Sequence, residues 1–554
     1  MKKAIFLCLV LVLCVSLFVG CSKSTTTTTA PKTTAPKTTA PTTTPPKTTA
    51  PTTTAAPAGP KYGGTFRYCL GYTIENAGGW IPELFVGTPT QVQLIYEPLL
   101  RGDDKGNIIP WLAEKYTVAP DLMSVTFNLR KGIKFSDGSD FNATVAKWNL
   151  DNFITSHRAY WTSVDFIDDY TVKCNAAFPI SNTVIGGGLG GYSDSVDTWM
   201  ASKAAYDAHG GDNGGKDWLR DNPVGTGPYI FKSYERDVAF KAVRNPNYWA
   251  KDANGNKLPY LDEFDIVYIP DPLTSKASLM AGEVDLATVS LGPDAQEVAA
   301  SGAIGTTVSV TSNIEFVPDS LHADSPFSKQ EVREAFEYAM NKEAVAKAFS
   351  YGAWKAPYQV GAQDTPYYDP NYQGARTYNV AKAKELLTSA GYPNGFHMTF
   401  ICAPTGINKD IIQAYIEQLS AVGITADVEF PDAPKYMPDE AAGIPVSVMY
   451  VEPTGGIVNW NAFLLFSNNP TRPKAGSWYF SPEYVAAYNA AVNAPTFDLA
   501  KTKAVFKVME DQCLIIQAYA AAGVIATQKY VHIEGVFHRS FSGLFNTELV
   551  WLDK

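Results

Sequence analysis

Few side chains in this sequence are spaced for covalent chemistry. The HExxH, GxSxG and SxxK patterns of zinc proteases, α/β-hydrolases and penicillin-binding enzymes are all absent. Gly186, Gly188 and Gly191 satisfy GxGxxG, a spacing that frees backbone amides for a pyrophosphate. Tyr192-Ser193-Asp194 follows them where a dinucleotide site needs a periodic helix, so a plain loop is expected. Asp252, Asn254, Asn256 and Glu263 stand at positions 1, 3, 5 and 12 of a calcium loop. Position 6, which needs Gly for the sharp turn, is Lys257, and Pro259 spoils the flanking helix; a surface turn is expected. The six His are scattered, and only His532 and His538 lie within six residues of each other, so neither a metal site nor a cofactor is expected. Cys69, Cys174, Cys402 and Cys513 form no CxxC; disulfides, with three possible connectivities, and buried free thiols both remain open.

What the sequence does carry is punctuation and periodicity. In Asn222–Trp249, Pro223, Gly225, Gly227 and Pro228 fall within six residues and predict a tight, stiff corner, with Gly free to take positive φ. Strand patterns follow at Tyr229–Phe231 and Ala239–Arg244, and Asn245-Pro246 ends them. Further strands are expected at Thr65–Leu70, in a hairpin over Val118–Arg130, and at Phe264–Ile269, Gly282–Ala287 and Val446–Val451. The last is apolar but for Ser447 and reads as central and buried. Gln91–Leu100 reads as a helix or buried turn, and Ala143–Phe153 and Leu273–Ala281 as helices. A helix over Gln330–Phe349 would place Val332, Ala335, Phe336, Ala339 and Met340 on one face. Asn379 is placed to cap a helix running to Ala390. His397–Ile401, a helix lined by Ile411, Ile412, Tyr415, Ile416 and Leu419, and Ala426–Phe430 make a β-α-β unit, which implies a sheet with helices packed on it.

At 554 residues the chain is too long for one core, and two or three domains are expected. The formal net charge is -10, although residues 1–60 hold six Lys and no acid. The body is therefore acidic and lacks the basic stripe of a nucleic-acid partner. Met1-Lys2-Lys3, then an apolar run to Val19 broken only by Ser16, reads as a secretory signal, too short for a bilayer span of roughly 20 residues. Phe18-Val19-Gly20-Cys21 resembles a bacterial lipobox, which implies cleavage before Cys21 and lipid on its thiol; Phe18 stands where Leu is usual. Ser22–Pro60 repeats Thr, Pro, Ala and Lys with no side chain able to build a core. As extended polyproline it would reach on the order of 120 Å, a stalk between a membrane and the body.

Three stretches carry a resemblance. They are the corner NPVGTGPYIFKSYERDVAFKAVRNPNYW, the run YEPLLRGDDKGNIIPWLAEKYTV with LRKGIKFSDGSDFNATVAKW, and SPFSKQEVREAFEYAMNKEAVAKAFSYG with YNVAKAKELLTSAGYPNGF. Together they resemble the family-five extracellular solute-binding proteins, the peptide- and nickel-type lipoproteins of ABC importers. The resemblance implies an α/β fold of the periplasmic-binding-protein type II, two lobes joined by a hinge, with an additional inserted domain. It divides the chain into a signal (1–20), anchor and tether (21–60), lobe I (61–86, 223–302 and 523–554), inserted domain (87–222) and lobe II (303–522). It implies a monomer on the extracytoplasmic face that captures a peptide or peptide-like solute between its lobes and hands it to a membrane permease. A secreted enzyme and a ligand-sensing receptor domain are the competing classes.

Ligands of open α/β sheets bind beyond the carboxyl ends of strands. Beyond the first strand lies Tyr72–Trp80, with Tyr72, Glu75, Asn76 and Trp80 as candidate contacts. Beyond Val446–Val451 lie Glu452, Asn459, Trp460 and Asn461, with Tyr450 on the strand itself. In peptide-binding relatives the second loop carries a Trp and an Asp that anchors the peptide amino group. Here Tyr450 falls near the Trp, no Asp follows within the loop, and Glu452 is the expected substitute. Loop scaffolding is the plainer reading of each residue.

Overall fold

The structure is a computed structural model. It describes residues 59–71, 77–80, 90–102, 108–154, 161–176, 180, 199–301, 304–365, 367–402, 407–431, 446–451, 479–494, 498–539 and 543–554. The Gly186–Gly191 motif and Cys21 lie outside them.

Fourteen strands carry the architecture. In chain order they are β1 (Thr65–Leu70), β2 (Ala113–Val118), β3 (Ser124–Leu129), β4 (Trp161–Asp168), β5 (Thr171–Ala176), β6 (Tyr229–Glu235) and β7 (Ala239–Arg244), then β8 (Glu263–Tyr268), β9 (Leu286–Val289), β10 (Ile304–Pro318), β11 (His397–Cys402), β12 (Thr425–Glu429), β13 (Val446–Val451) and β14 (Ile516–Gln528). The helices used below are α1 (Thr90–Ile95), α2 (Ala143–Ile154), α3 (Lys203–Ala208), α4 (Gly215–Asp221), α5 (Pro272–Ala281) and α6 (Pro293–Ala300). They continue with α7 (Gln330–Tyr338), α8 (Lys342–Phe349), α9 (Val380–Ser389), α10 (Lys409–Ser420), α11 (Pro482–Val492) and α12 (Leu499–Asp511).

Ten strands form one sheet in the order β12-β11-β13-β10-β14-β9-β1-β8-β7-β6. The two longest, β10 and β14, run antiparallel at its middle and belong to both halves. Near the start of β10, Ile304–Ser309 pairs with Gly523–Gln528, and the same end of β14 pairs with β9. Further along, Asn313–Pro318 pairs with β13 while Ser312–Phe316 pairs with Ile516–Ala521. Between these halves the register slips, once between Ser309 and Ser312 and again between Ile314 and Glu315. Such bulges bend a strand and sharpen its twist, so the two half-sheets are joined by two strands that are irregular at the joint.

The burial pattern follows the pleat. In β1, Phe66 and Tyr68 enter one core cluster, while Cys69 enters a second with Leu279 of α5 and Val298 of α6. The parallel strand between β8 and β9 is therefore covered on both faces. In the other half, Ile314, Phe316, Phe336, Phe400 and Tyr415 pack the sheet against α7 to α10. A four-stranded antiparallel sheet, β2-β3-β5-β4, packs on α2, and its cluster continues into α11 and α12 through Tyr484, Tyr488 and Met509.

The β-α-β unit forms as expected, with β11 parallel to β12 and α10 between them in sequence. β13 lies inside the sheet between β11 and β10. Asn379 caps α9, its side chain accepting from Lys382 N. The single helix expected over Gln330–Phe349 is two, because Asn341 starts a new helix by capping Ala344 N. The five residues expected on its buried face are all buried. The strand expected from Gly282 begins only at Leu286, since Gly282 is the left-handed cap of α5. The four cysteines of the body are buried free thiols. The Asp252 loop is a turn satisfied from within: its carboxylate accepts from Asn254 N, Asn256 N, Asn256 Nδ2 and Tyr260 Oη. The Tyr260 hydroxyl, first among these donors, holds the Asp252 carboxyl down at about 2.

Candidate functional site

The parallel strands direct attention to their carboxyl ends. β1 is parallel to β8 and β9, and β13 is parallel to β11. The chain leaves β1 at Gly71 and β13 at Val451. Of the candidate contacts, Tyr72, Glu75, Asn76, Glu452, Asn459, Trp460 and Asn461 lie outside the described residues. Tyr450 is placed by its backbone, opposite Ile314 in the β10–β13 register.

Trp80 is described, and it is 7% exposed. Its ring stacks on Tyr206 of α3 at 5.7 Å and meets Trp148 of α2 edge-on at 6.0 Å. The backbone beside it is fixed as firmly. Gly79 N donates to Arg220 O at 3.2 Å, and Tyr96 Oη donates to Gly79 O at 2.8 Å. A Cβ on Gly79 would lie 1.6 Å from Leu219 O, so only glycine lets the two backbones meet. The loop after β1 is thus held at its far end against α3 and α4.

Near the joint, the segment Lys355–Asp369 lies across β10 and β14. Asn313 Nδ2 donates to Gln359 O at 3.3 Å. Gln359 closes the segment on itself, donating through Nε2 to Asp369 O and accepting from Asp369 N through Oε1. Val360 N donates to Glu510 Oε1 of α12 at 2.8 Å. These contacts leave a cavity of about 20 Å³ lined by Asn313, Lys355, Gln359, Gln363, Tyr368 and Ala520. That is room for about one water among amide, amine and phenol groups able to donate hydrogen bonds. Sequence reasoning missed this wall. Its only local trace is the Pro- and Tyr-rich run Ala356–Pro370, a loop composition.

Three His–carboxylate pairs invite an enzymatic reading; in one, His532 and Glu534 lie 3.4 Å apart with the Glu534 side chain 76% exposed. Asp319 accepts from His322 Nδ1 at 3.0 Å, and also from the amides of Leu321 and His322, so the pair closes a local turn. Thr425, His397 and Asp427 form a row across the paired strands β11 and β12, at 2.9 and 3.2 Å. The His397 side chain is 58% exposed and that of Asp427 is 79% exposed, so no walls exclude water from a reacting group there.

A match to known proteins decides the family. The family model described as bacterial extracellular solute-binding proteins, family 5 Middle, matches residues 107–459, more than half of the chain. The chain belongs to this family. Among curated proteins it is 31% identical over 356 residues to the glutathione-binding protein GsiB of Escherichia coli O157:H7. It is 30% identical over 350 residues to GsiB of Salmonella choleraesuis. Each match covers 61% of this chain and 64% of the relative, so the chain spans less than two thirds of the length of these relatives. Among solved structures it is similar to the Helicobacter pylori periplasmic binding protein DppA in complex with the peptide STSA. The TM-score is 0.70 at 22% identity, covering 89% of this chain and 99% of that one. NikA of Brucella suis in complex with Fe(III)-EDTA gives a TM-score of 0.72 at 18% identity, covering 88% of this chain and all of the other. The family-five chain therefore has the two-lobed α/β fold of type II periplasmic binding proteins, and β10 and β14 are the strands through which its two half-sheets are joined.

Proposed function

We propose that the family-five chain is the extracytoplasmic solute-binding component of an ABC importer, capturing a peptide or peptide-like solute by hinge closure. One observation carries this reading: the half-sheets are joined through β10 and β14 at a register slip, while the candidate binding loops leave strand ends in both halves. A ligand touching both lobes favours the closed form by its differential affinity alone, and no covalent chemistry is needed. The family description and the peptide and glutathione named for its relatives support this class over an enzyme or a receptor domain. The lobe and insert boundaries expected above belong to the same proposal, with the chain acting as a monomer beside a permease.

Within the cleft, Glu452 receives a cationic or hydroxyl group of the cargo, and Tyr450 and Trp460 provide flat apolar contact at low entropy cost. Tyr72, Glu75, Asn76, Asn459 and Asn461 line the same cleft, and Trp80, packed on Tyr206, fixes the first loop from behind. Mass spectrometry of protein purified without refolding identifies the cargo. Calorimetry with that ligand then tests the site. Glu452→Gln is expected to weaken binding by about 1–3 kcal/mol, the cost of a buried partner left unpaired, and Trp460→Ala also weakens it, both with unchanged melting. Wild-type affinity in both folded variants would make the loop scaffold.

Anchoring belongs to the proposal as well. Cys21 carries lipid, and the Thr/Pro tether holds the body away from the membrane. Among the described residues no helix is long and apolar enough to cross a membrane. Cys21→Ser is expected to move the protein from the detergent phase to the soluble fraction; unchanged partitioning would assign the anchor to another element.

A further inference from the structure

A buried acid stands beside the hinge. Glu315, on β10 just past the second register slip, is 0% exposed and lies directly opposite Gln517 of β14. Gln517 Nε2 donates to Glu315 Oε1 at 2.8 Å. The other two oxygens of the pair, Glu315 Oε2 and Gln517 Oε1, are both buried and have no partner. Two buried acceptors cannot satisfy one another, and leaving them so is costly. One proton on Glu315 Oε2 resolves both, because the hydroxyl then donates to Gln517 Oε1 and closes an acid–amide ring of two hydrogen bonds.

We propose that Glu315 enters the hinge strands as a neutral acid, joined to Gln517 by two hydrogen bonds, and that this pair is a proton-linked clasp on the strands that join the two half-sheets.

The surroundings fit a neutral acid. Ile314 and Phe316, its neighbours on β10, belong to the core under α7 to α10. Val317, two residues on and on the face of Glu315, belongs to the cluster of Val360, Tyr367, Tyr484, Tyr488 and Met509. The titratable groups that these elements bring are the phenols Tyr367, Tyr484 and Tyr488 and the carboxyl of Glu510. Glu510 Oε1 is engaged by Val360 N, and among the described residues no Lys, Arg or His pairs with Glu315. Desolvation pushes the Glu315 carboxyl from its ordinary value of 4.5 up to about 8, against the opposing pull of the Gln517 hydrogen bond.

A raised carboxyl binds a proton in the folded state that the unfolded chain has already lost. Its stabilisation is present in full below about pH 4.5 and is lost as pH rises to about 8, at about tenfold in the folding constant per pH unit. Glu315→Gln supplies a permanent N–H in place of the proton and should be insensitive in this window.

The experiment compares urea unfolding of the wild-type protein and Glu315→Gln across that range. The expected result is a difference in folding constant that grows in favour of the variant from pH 4.5 to pH 8, reaching at least tenfold. Glu510, pushed up to about 7 by burial, titrates in both proteins and cancels from the difference. Parallel stability curves overturn the proposal. If the variant does not fold, infrared spectroscopy decides on the wild-type protein alongside Glu510→Gln. Both must show the carbonyl band of a protonated carboxyl at pH 6.5 with a component that disappears above pH 8; Glu97, also pushed up by burial, adds to the band in both, and a Glu510→Gln band that does not change across pH 8 overturns the assignment. Hydrogen exchange separates a clasp from mere stability. Above pH 8 the amides of 313–317, corrected for intrinsic rates, should lose protection in the wild-type protein and keep it in Glu315→Gln.

Discussion

Replacing Glu97 by alanine is expected to lower the stability of the protein by about 3–5 kcal/mol, the usual cost of removing one member of a buried charged network. Glu97 is 0% exposed, just beyond the end of α1. Its Oε1 accepts from Trp111 Nε1 at 2.6 Å and from Tyr248 Oη at 2.8 Å, and its Oε2 accepts from Trp249 Nε1 at 2.9 Å. Arg101 lies 3.8 Å away, stacks over the Trp111 ring, and also pairs with Glu548 near the end of the chain at 2.6 Å. The donors thus come from the runs around 111 and 248, and Arg101 extends the network to 548. Burial pushes the Glu97 carboxyl above its usual range, while Arg101 and the ring donors pull the other way. Alanine would strand three donors in a dry interior. Glu97→Gln keeps the shape and one acceptor oxygen but turns an amide N–H toward Trp249 Nε1, and is expected to cost about 1–3 kcal/mol. Equilibrium unfolding in urea measures both. Equal losses in the two variants would mean that the charge facing Arg101 and the Trp249 bond to the second oxygen carry the whole effect.

How much of this was legible beforehand differs by kind of feature. Strands and helices were, because burial imposes a period: Phe66, Tyr68 and Leu70 alternate in β1, and Asn379 marks the start of α9 by its side chain alone. The break at Asn341 was not, because the apolar face continues across it; Val332, Ala335, Phe336 and Val345 all enter the same core. Periodicity reports which face is buried, and only the cap reports where one helix stops. The functional features were less legible still. Glu97 stands alone in the apolar run QLIYEPLL, and its three ring donors lie 14, 151 and 152 residues away. The Glu315–Gln517 pair spans 202 residues, and neither residue looks unusual in its own stretch. Trp80 reads as a ligand contact from its place in a loop, and its packing among Trp148 and Tyr206 is something no local pattern announces. Side chains that act through long-range partners leave only a weak local trace, an ionisable residue among apolar ones.

The corner at Gly225 and Gly227 is the second place where one substitution should have a large effect, and the reason differs from the one its sequence suggests. The sequence suggests that glycine is there to permit positive φ, yet neither residue is among the positive-φ glycines. What the corner needs is proximity. A Cβ on Gly225 would lie 2.0 Å from Ile95 O and 2.7 Å from the Tyr96 ring, and one on Gly227 would lie 2.6 Å from Ile95 O and 2.7 Å from Leu94 O. The close approach is also hydrogen-bonded: Gly227 N donates to Ile95 O at 2.8 Å, and Gly225 O accepts from Ser136 N. The closest obstruction at both positions is the main chain of Leu94 and Ile95 in α1, so turning the Tyr96 ring aside does not relieve it. One element must move off the other, parting the corner from the residues beside Glu97. Gly225→Ala is therefore expected to destabilise by about 3 kcal/mol or more, at or beyond the upper end of ordinary overpacking. Gly71→Ala is the control. It has no atom within 4 Å of its new methyl and no positive φ to lose, and should stay within about 0.5 kcal/mol of wild type. Thermal melting and urea unfolding of the pair check this, with circular dichroism to confirm that each folds. A Gly225→Ala protein as stable as Gly71→Ala would show that α1 and the corner can separate freely, and the rigid seat this corner gives the strands β6 and β7 would have to come from elsewhere.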